Sequence, residues 1–259
     1  MKHKARFFLI LWLILGGTGF LSAAERQPVY DVIRIDSAIT PPVADYILQG
    51  IDGAAKSGSN GLVVLLDTPG GLDLAMRDIV KGLLGAPIPV IVYVSPSGAR
   101  AASAGMIITM AAHVSAMAPG TNIGAAHPVG IGIGGGGDKV MMEKVENDAV
   151  AYAISIARQK GRNEEWVERA VRKSESIPAD QALQARVVDL VAKDLTELLE
   201  QLSGREVRVG ENVRVLETKG AMLREIPMNL RQKVLTTLSD PNIAYLLFLL
   251  GVAGLYFEL

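Results

Sequence analysis

Residues 92–128, VYVSPSGARAASAGMIITMAAHVSAMAPGTNIGAAHP, decide the fold and carry the most reactive candidate residue. An apolar run, Ile88–Val94, predicts a buried strand that stops at a Ser/Pro/Gly turn. A helix of small residues is predicted next, over Arg100–Ala112, with Ser103 near its start among alanines. A serine at a helix start is usually a cap or a surface residue. Here, backbone N–H groups converge and small neighbours leave room for a substrate chain, so Ser103 is a candidate nucleophile.

The segments before this stretch alternate between apolar strands and helices. Thr40 followed by two prolines predicts the start of a helix that continues to about Lys56. Gly61–Leu66 (GLVVLL) is an uninterrupted apolar run, typical of a strand buried on both faces of a parallel sheet. The turn Asp67–Gly71 (DTPGG) ends it, and Leu72–Leu84 has helical spacing. This order predicts an α/β fold, a parallel sheet flanked by helices with right-handed crossovers.

Composition limits the classes of protein to which the chain can belong. Of its 259 residues, 49% are hydrophobic and 20% charged, which suits a globular protein with a sizeable core. A formal net charge of −1 shows no nucleic-acid-binding character, so no nucleic acid partner is expected. The absence of cysteine excludes thiol catalysis, disulfides and thiolate metal sites. Three histidines without paired spacing predict no metal site, and no cofactor is expected.

The chain divides into four predicted parts. Residues 1–24 have the basic start, apolar middle and small final residues of a secretory signal peptide, with an uncleaved anchor helix as the alternative. Residues 25–202 are predicted to form the main domain. Residues 203–240 are predicted to be a small β/α extension and linker, in which Arg205–Glu217 alternates as a hairpin does. The fourth part is the C-terminal segment.

Residues 241–259 are predicted to begin a transmembrane segment. Ile243–Phe257 is uncharged and strongly apolar. As a helix rising about 1.5 Å per residue, it covers roughly 22 Å, less than the ~30 Å hydrocarbon layer of a bilayer. We therefore expect the sequence to stop inside a membrane helix. An interfacial tail is the alternative.

A glycine-rich run, Gly130–Asp138 (GIGIGGGGD), follows the opening stretch. It is too flexible for a core and too long for a turn, so it predicts a mobile loop beside the site. No Lys-Ser/Thr follows it, which argues against a phosphate-binding loop.

Attack by a serine requires a base and hydrogen-bond donors for the oxyanion. The local sequence offers the N–H of Ala104, directly after the candidate nucleophile, and the N–H groups of Gly70 and Gly71. Glycine suits this task because it has no Cβ to keep the backbone away from a substrate carbonyl. A plain strand-to-helix turn is the alternative interpretation of Asp67–Gly71.

Two residues are candidate bases. Lys144 lies near the start of a predicted helix, Glu143–Lys160. A lysine acts as a base only if burial lowers its pKa towards neutrality, and a solvated surface lysine is the alternative. His127 lies after the nucleophile helix and a short predicted strand, with a core or loop histidine as the alternative. Spacing alone leaves the choice of base open.

Four segments resemble the NfeD family of membrane-bound serine peptidases. They are DTPGG (67–71), SGARAASAG (97–105), MAPGTNIGA (117–125) and GRN (161–163). The similarity covers roughly residues 28–200. The protease domain of that family belongs to the Clp-protease/crotonase-like superfamily, so the resemblance implies a repeated ββα core with a parallel sheet flanked by helices.

The resemblance also implies a Ser–Lys dyad. The family's nucleophile is the serine of the AASAG block, which is Ser103 here. Its lysine opens the helix that runs into an Ala-Tyr pair, which matches Lys144. The oxyanion donors of such folds match Gly70, Gly71 and Ala104.

His127 remains the alternative base, because it lies close to the position at which Clp-type peptidases keep their catalytic histidine. A Ser-His-Asp triad needs an acid to orient the ring. The corresponding region, Arg172–Ile177, offers Ser174 with only Glu175 beside it. Lys144 is therefore preferred.

The family resemblance further implies the substrate, the partners and the location. It implies cleavage of apolar segments of stomatin-like membrane-associated proteins, a membrane location, and a homo-oligomer, a dimer or larger. The predicted signal peptide places the protease domain on the extracytoplasmic side. Two other classes of function remain alternatives. A crotonase-like acyl-CoA enzyme would not need Ser103, and neither would a non-catalytic membrane scaffold that binds a stomatin-like partner.

Overall fold

The computed structural model describes residues 27–129 and 139–258, which contain strands that form three sheets. In chain order the strands are β1 (Val29–Ile35), β2 (Gly61–Leu66), β3 (Val90–Val94), β4 (Arg100–Ala102), β5 (Val114–Met117), β6 (Asn122–Gly124), β7 (Ser176–Pro178), β8 (Leu190–Val191), β9 (Glu206–Val209), β10 (Asn212–Val215) and β11 (Met222–Glu225). The main sheet has the order β11-β1-β2-β3-β5-β8, and all of its pairs are parallel.

Helices connect these strands, as the β-α-β-α pattern predicts. The described helices are α1 (Pro41–Lys56), α2 (Asp73–Leu84), α3 (Ala104–Ala111), α4 (Lys139–Gln159), α5 (Glu164–Arg172), α6 (Ala179–Gln184), α7 (Leu195–Leu202), α8 (Leu230–Leu238) and α9 (Pro241–Glu258). The helix expected after Thr40 begins at Pro41, because proline at the first helical position has no N–H to leave unpaired. The prediction of an α/β fold with a parallel sheet flanked by helices is confirmed.

The apolar strands are buried because both faces of the main sheet are covered. Every residue of β2 and β3 is buried. On one face, side chains such as Val64 and Val92 pack with the helices that carry most of the core. On the other face, Val63 packs with α7 and with the hairpin formed by β9 and β10. The hairpin predicted over Arg205–Glu217 is thus confirmed, and it covers the sheet.

A second, three-stranded sheet corrects one predicted boundary. The helix predicted over Arg100–Ala112 begins only at Ala104, because its first three residues form β4, which pairs with β6. The backbone of Thr68 explains the difference. Its N–H donates to the Arg100 carbonyl at 2.8 Å, and its carbonyl accepts from the Ala102 N–H at 3.1 Å. These bonds hold Arg100–Ala102 extended.

The C-terminal part of the described chain joins the main sheet. Strand β11 pairs in parallel with β1 at one edge of the sheet. Arg224 of this strand donates to both carboxylate oxygens of buried Asp31 on β1, at 2.7 and 2.9 Å. The extension predicted over residues 203–240 therefore supplies an edge strand of the central sheet.

Two helices follow this edge strand, α8 with both polar and apolar residues and the strongly apolar α9. Asn229 and Gln232 form a reciprocal capping box at the start of α8, and the described side chains of α9 are exposed except for half-buried Ile243. No single described helix is both long and apolar enough to cross a membrane, whereas Leu230–Leu238 and Asn242–Phe257, bent by 71°, satisfy length and composition as a pair. The predicted signal peptide and the glycine-rich run, residues 130–138, lie outside the described residues.

Candidate active site

A cavity of about 630 Å³ lies where the turn after β2, the start of α3 and the first half of α4 meet. Its lining includes Gly71, Ser103, Ala104 and Lys144. The structure therefore brings the candidate nucleophile, two candidate oxyanion donors and one candidate base to a single site. Apolar side chains supply much of the remaining wall, among them Leu72, Met76, Ile107, Val129, Val145 and Val171.

Ser103 has a backbone conformation that residues with side chains rarely adopt. Its φ is 51° and its ψ is −115°. Such conformations cost on the order of 1–3 kcal/mol and cluster at active sites. The Ser103 N–H donates to the Gly124 carbonyl at 2.9 Å, which fixes the residue at the junction of β4 and α3. Ser103 thus directly precedes the first residue of the helix, and it is half-buried.

The Asp67–Gly71 turn is packed directly against this serine. A Cβ on Gly70 would lie 2.7 Å from the Cβ of Ser103, and a Cβ on Gly71 would overlap the carbonyl of Ile39. Both positions therefore require glycine for space, and Gly70 also requires it for its φ of 116°. The alternative reading of a plain turn does not account for this close approach.

The two glycines differ in what their N–H groups do. The Gly70 N–H donates to the hydroxyl of Thr68 at 3.2 Å. Gly71 forms a parallel bridge with Ile39, in which the flanking groups, the Gly70 carbonyl and the Leu72 N–H, bind the Ile39 backbone. Because N–H groups alternate in direction along an extended segment, the Gly71 N–H points away from Ile39. The Ala104 N–H is the first of α3, where no intrahelical acceptor exists.

Lys144 lies on the first half of α4 and lines the cavity. The sequence argument required this lysine to be buried. That expectation is wrong, because Lys144 is exposed. The reason lies in the helix. Its buried residues all belong to its second half: Val150, Ala153, Ile156 and Ala157.

His127 does not share the cavity. The described residues that line it include the two neighbours, Ala126 and Pro128, but not His127. The imidazole Nδ1 lies 3.1 Å from the Val171 carbonyl oxygen, and Glu175 pairs instead with Arg169. Among the described residues, the His127 ring thus lies outside the lining of the cavity, and the nearby acid, Glu175, is engaged by Arg169. Within residues 27–129 and 139–258, no group of three or more His, Asp or Glu side chains is arranged to hold a metal ion.

Arg77 is a site residue that the sequence analysis missed. It extends from α2 and lines the cavity with its guanidinium carbon 4.3 Å from the centre of the Tyr152 ring. It donates to Asp73 at 2.8 Å and to Asp148 at 2.5 Å. Burial lowers the pKa of Arg77, but its two carboxylate partners outweigh this and hold the pKa above its ordinary value. For the neighbouring Tyr152, burial disfavours the charged phenolate and therefore raises the pKa.

The fold is shared with known proteins. Residues 29–212 match the family model described as NfeD1b, N-terminal domain, and the chain belongs to the NfeD1b family. It is 36% identical over 227 residues to the membrane-bound protease PH1510 of Pyrococcus horikoshii, covering 86% of this chain and 51% of that protein. It is 32% identical over 123 residues to the membrane protein NfeD1b of Bacillus subtilis, covering 48% of this chain and 27% of that protein. The chain spans about half the length, or less, of these curated relatives.

Solved structures of one relative match most of the described fold. A lysine-to-alanine variant of the 1510-N membrane-bound stomatin-specific protease, in complex with a substrate peptide, matches with a TM-score of 0.75 and 32% identity over 82% of this chain and 97% of that chain. A serine-to-alanine variant of the same protease matches with a TM-score of 0.70 and 33% identity, over 78% of this chain and 98% of that chain. The 1510-N membrane protease specific for a stomatin homolog from Pyrococcus horikoshii matches with a TM-score of 0.72 and 31% identity, over 83% of this chain and 100% of that chain.

Proposed function

We propose that this chain is a serine peptidase in which Ser103 is the nucleophile and Lys144 the base. The observation that carries the proposal is the cavity that both residues line, with a strained serine on one wall and the lysine-bearing helix on the other. The relatives support it. The substituted serine and lysine of the two 1510-N variants are 41 positions apart in that protein, the same separation as between Ser103 and Lys144.

The oxyanion would be held by two backbone donors. Gly71 and Ala104 both line the cavity, and neither N–H has an acceptor in the Ile39 bridge or the helix, whereas the Gly70 N–H is already bonded to Thr68. Of the three predicted donors, Gly71 and Ala104 are therefore the pair that we propose. Two such fixed donors stabilise the charge that develops in the transition state at no cost of reorganisation.

The reaction follows from this arrangement. The Ser103 hydroxyl transfers its proton to the neutral Lys144 amine as the oxygen attacks the peptide carbonyl carbon. The tetrahedral intermediate collapses, and the leaving amine takes the proton from the lysine as the C–N bond breaks. A water molecule then gives its proton to Lys144 and attacks the ester. Release of the acid returns that proton to Ser103.

The exposure of Lys144 is consistent with a base that works only when substrate is bound. A peptide that fills the cavity would exclude water from the amine, and removal of water favours the neutral form that accepts a proton. The apolar wall formed by residues such as Met76, Ile107 and Val145 favours a peptide with apolar side chains. Together with the relatives described as stomatin-specific, this supports apolar segments of a stomatin-like protein as the substrate.

The test compares three alanine variants with the unaltered chain. We expect Ser103→Ala and Lys144→Ala each to abolish cleavage of an apolar fluorogenic peptide, while His127→Ala keeps measurable cleavage. Removal of a nucleophile or its base typically costs several powers of ten in rate. Labelling with a fluorophosphonate-type probe, scored in parallel, should disappear in Ser103→Ala.

The other outcomes identify the alternatives. If Lys144→Ala keeps cleavage and His127→Ala loses it, the base is His127. If Ser103→Ala remains active and the chain binds coenzyme A, the crotonase-like alternative is supported. If no variant changes any function and no peptide is cleaved, the chain is a scaffold for a stomatin-like partner.

We also propose that the C-terminal helices attach the chain to a membrane. Helix α8 presents its polar side to the protein, since buried Gln232 donates to Gln49 of α1 at 3.0 Å. Its exposed residues Leu230, Val234 and Leu238 form an outward apolar stripe. The apolar α9 follows directly. Both relatives are named as membrane proteins, which supports this attachment.

The absence of cysteine makes the attachment simple to test. Val234→Cys and, as a matched neighbour on another side of α8, Lys233→Cys would each carry an environment-sensitive fluorophore. With anionic lipid vesicles, we expect brominated lipids to quench the label at position 234 more than the label at 233. Equal quenching would contradict the proposed orientation. A change at 234 that depends on protein concentration without lipid would mean that a second copy covers the stripe.

We propose further that the protease domain lies on the extracytoplasmic side and that the chain forms a homo-oligomer. The first rests on the signal-like residues 1–24 and the second on the family resemblance alone. Protease digestion of intact and permeabilised cells tests the side, since an extracytoplasmic domain is cut in both. Light scattering in detergent tests the oligomer, and a monomer mass would contradict it.

A further inference from the structure

The first half of α4, residues Lys139–Ala149, is attached to the rest of the protein differently from the second half. We call it the base arm, because it carries Lys144. None of its residues is buried, whereas the second half packs into the core through residues such as Ala153 and Ile156. Only Ala149, at the last position of the base arm, packs partly against the core, so apolar burial holds the arm at that end and not along the turn that carries Lys144.

Charged side chains hold the base arm on two sides. On the α2 side, Arg77 donates to Asp148 at 2.5 Å. On the α5 side, Arg172 donates to Glu146 at 3.1 Å and to Asn147 at 3.0 Å. The three contacted residues are consecutive and lie within one turn of Lys144. The two arginines thus connect the base arm to helices on either side of it.

Arg77 is better fixed than an ordinary surface arginine. Its side chain is only 25% exposed, and Asp73, one turn earlier on α2, accepts from its Nε at 2.8 Å. Its guanidinium also stacks on Tyr152, which belongs to the second, buried half of α4. Because it contacts the two halves of α4 and the helix that follows the Gly70–Gly71 turn, its position relates the base arm to the oxyanion donors.

We propose that Arg77 is a positioning residue that, through its ion pair with Asp148, holds the base arm so that the Lys144 amine faces Ser103. This inference rests on the proposed Ser103–Lys144 dyad. Arg77 itself takes no part in proton transfer. Without it, the base arm would sample positions in which the lysine is turned away from the cavity.

The kinetic test uses Arg77→Met and Asp148→Asn in the full chain. Loss of an exposed ion pair changes an equilibrium by a factor of about two to five, and loss of a cation–π contact by a similar factor. We therefore expect kcat for an apolar fluorogenic peptide to fall about tenfold in Arg77→Met and about threefold in Asp148→Asn. KM should change less than twofold in both, because the base acts only in the transition state. The double variant should be no slower than Arg77→Met, since both substitutions break one link.

A matched control lies on the same helix. Arg158 in the second half of α4 pairs with Glu164 at 2.6 Å and does not line the cavity formed by the described residues. Arg158→Met removes a more exposed ion pair of the same helix and should leave kcat unchanged. Arg77→Lys keeps the charge and should recover part of the lost kcat.

A second measurement follows the base arm directly. Met141 lies on the base arm and is exposed, so Met141→Cys can carry a nitroxide spin label in a chain that has no other cysteine. We expect the label to become more mobile when Arg77→Met is added and to stay unchanged when Arg158→Met is added.

The outcomes separate this inference from the proposed function. If Ser103→Ala and Lys144→Ala are inactive but Arg77→Met has normal kcat and an unchanged spin label, the positioning role is refuted and the dyad stands. A rise in KM with normal kcat would instead make Arg77 a substrate contact and overturn the proposal. If Lys144→Ala keeps full activity, the dyad itself fails.

Discussion

The two walls of the candidate active site are built in opposite ways. The wall that carries Ser103 is made of close backbone contacts, glycines without room for a Cβ and a helix whose residues are all buried. The wall that carries Lys144 is the base arm, which has no buried residue and is connected by ion pairs to its neighbours. Packing fixes the first wall and charge fixes the second.

This difference matches what each wall would have to do. Donors for an oxyanion must keep one geometry, because an error of a fraction of an ångström weakens the charge stabilisation. A base that must lose its water shell when a peptide arrives can tolerate, and can use, a wall that adjusts to the peptide. The comparison predicts that substitutions in the two walls have effects of different size and kind.

The largest effect is expected at Gly71. A methyl group there would overlap the Ile39 carbonyl, so Gly71→Ala must move the turn and with it the N–H proposed as oxyanion donor. Loss of one such donor lowers kcat by about 10²–10³-fold. Steady-state kinetics with the apolar peptide would measure this. Gly53→Ala is the control, because open space surrounds that glycine on α1. Wild-type kcat in Gly71→Ala would break the comparison.

Arg162 should give the next largest effect, seen in stability. Its buried guanidinium donates to the carbonyls of Met110 and Val187 at 2.9 and 3.2 Å and pairs with Asp189 at 3.1 Å. It thereby binds the far end of the helix that starts after Ser103. Arg162→Met removes the guanidinium donor from two buried carbonyls, whereas Asp189 keeps Ser115 and Arg205 as partners, and we expect a loss of about 3 kcal/mol in the free energy of unfolding.

Chemical denaturation measures this loss, and the exposed Arg158 provides the comparison. Arg158→Met should leave the denaturation midpoint where it is, because that pair is solvated on the surface. Equal denaturation midpoints for the two arginine variants would contradict the view that buried contacts stabilise the wall that carries Ser103 more than exposed ion pairs stabilise the other wall.

A smaller effect is expected from the strain at Ser103. Glycine adopts a φ of 51° without the strain that a side chain introduces. Ser103→Gly should therefore be more stable than Ser103→Ala by about 1 kcal/mol. This value is the relief of backbone strain minus the cost of the greater entropy of glycine in the unfolded chain. Both variants should be inactive, so thermal unfolding separates them. A less stable Ser103→Gly would show that the serine is not strained.

A final effect concerns the pH dependence of stability. Burial, with a contribution from Lys160, lowers the pKa of His113 from 6.5 to about 4. The unfolded chain therefore binds a proton below pH 6.5 that the folded chain does not, and stability should fall as the pH decreases from 6.5 to 4. We expect a loss of about 1–2 kcal/mol, allowing for the partial exposure of the ring.

Denaturant titrations at several pH values test this, with His113→Asn as the control. The amide oxygen can still accept from the Val90 N–H, which donates to the His113 Nδ1 at 3.1 Å. The control should lose this part of the pH dependence. An unchanged slope would assign the dependence to other groups.

The sequence predicts the first wall better than the second for a physical reason. The strand Gly61–Leu66 and the turn after it can be predicted from the local sequence. Apolar runs, glycines and the small residues around Ser103 each restrict the backbone. The base arm depends on pairs such as Arg77 and Asp148, which are 71 positions apart. Helical spacing locates Lys144 on a helix but does not determine whether that turn of the helix is buried.

Two other differences arise from contacts that are distant in sequence. Arg100–Ala102 has helix-forming alanines, yet pairing with β6 and with Thr68 keeps it extended. His127 has the spacing of a catalytic histidine, yet its ring lies against the Val171 carbonyl. In both cases a partner on another element decides the outcome, and one sequence read alone does not identify that partner.

The edge strand β11 has a consequence for where this protein could cut. Because Arg224 bonds Asp31 inside the domain, the chain that leads into α8 leaves from a rigid sheet and not from a loose tether. If α8 and α9 attach the chain to a membrane as proposed, this mounting would restrict the height and tilt of the cleft above the membrane surface. Peptide bonds at one particular distance from that surface would then reach Ser103 more readily than bonds nearer to it or farther from it.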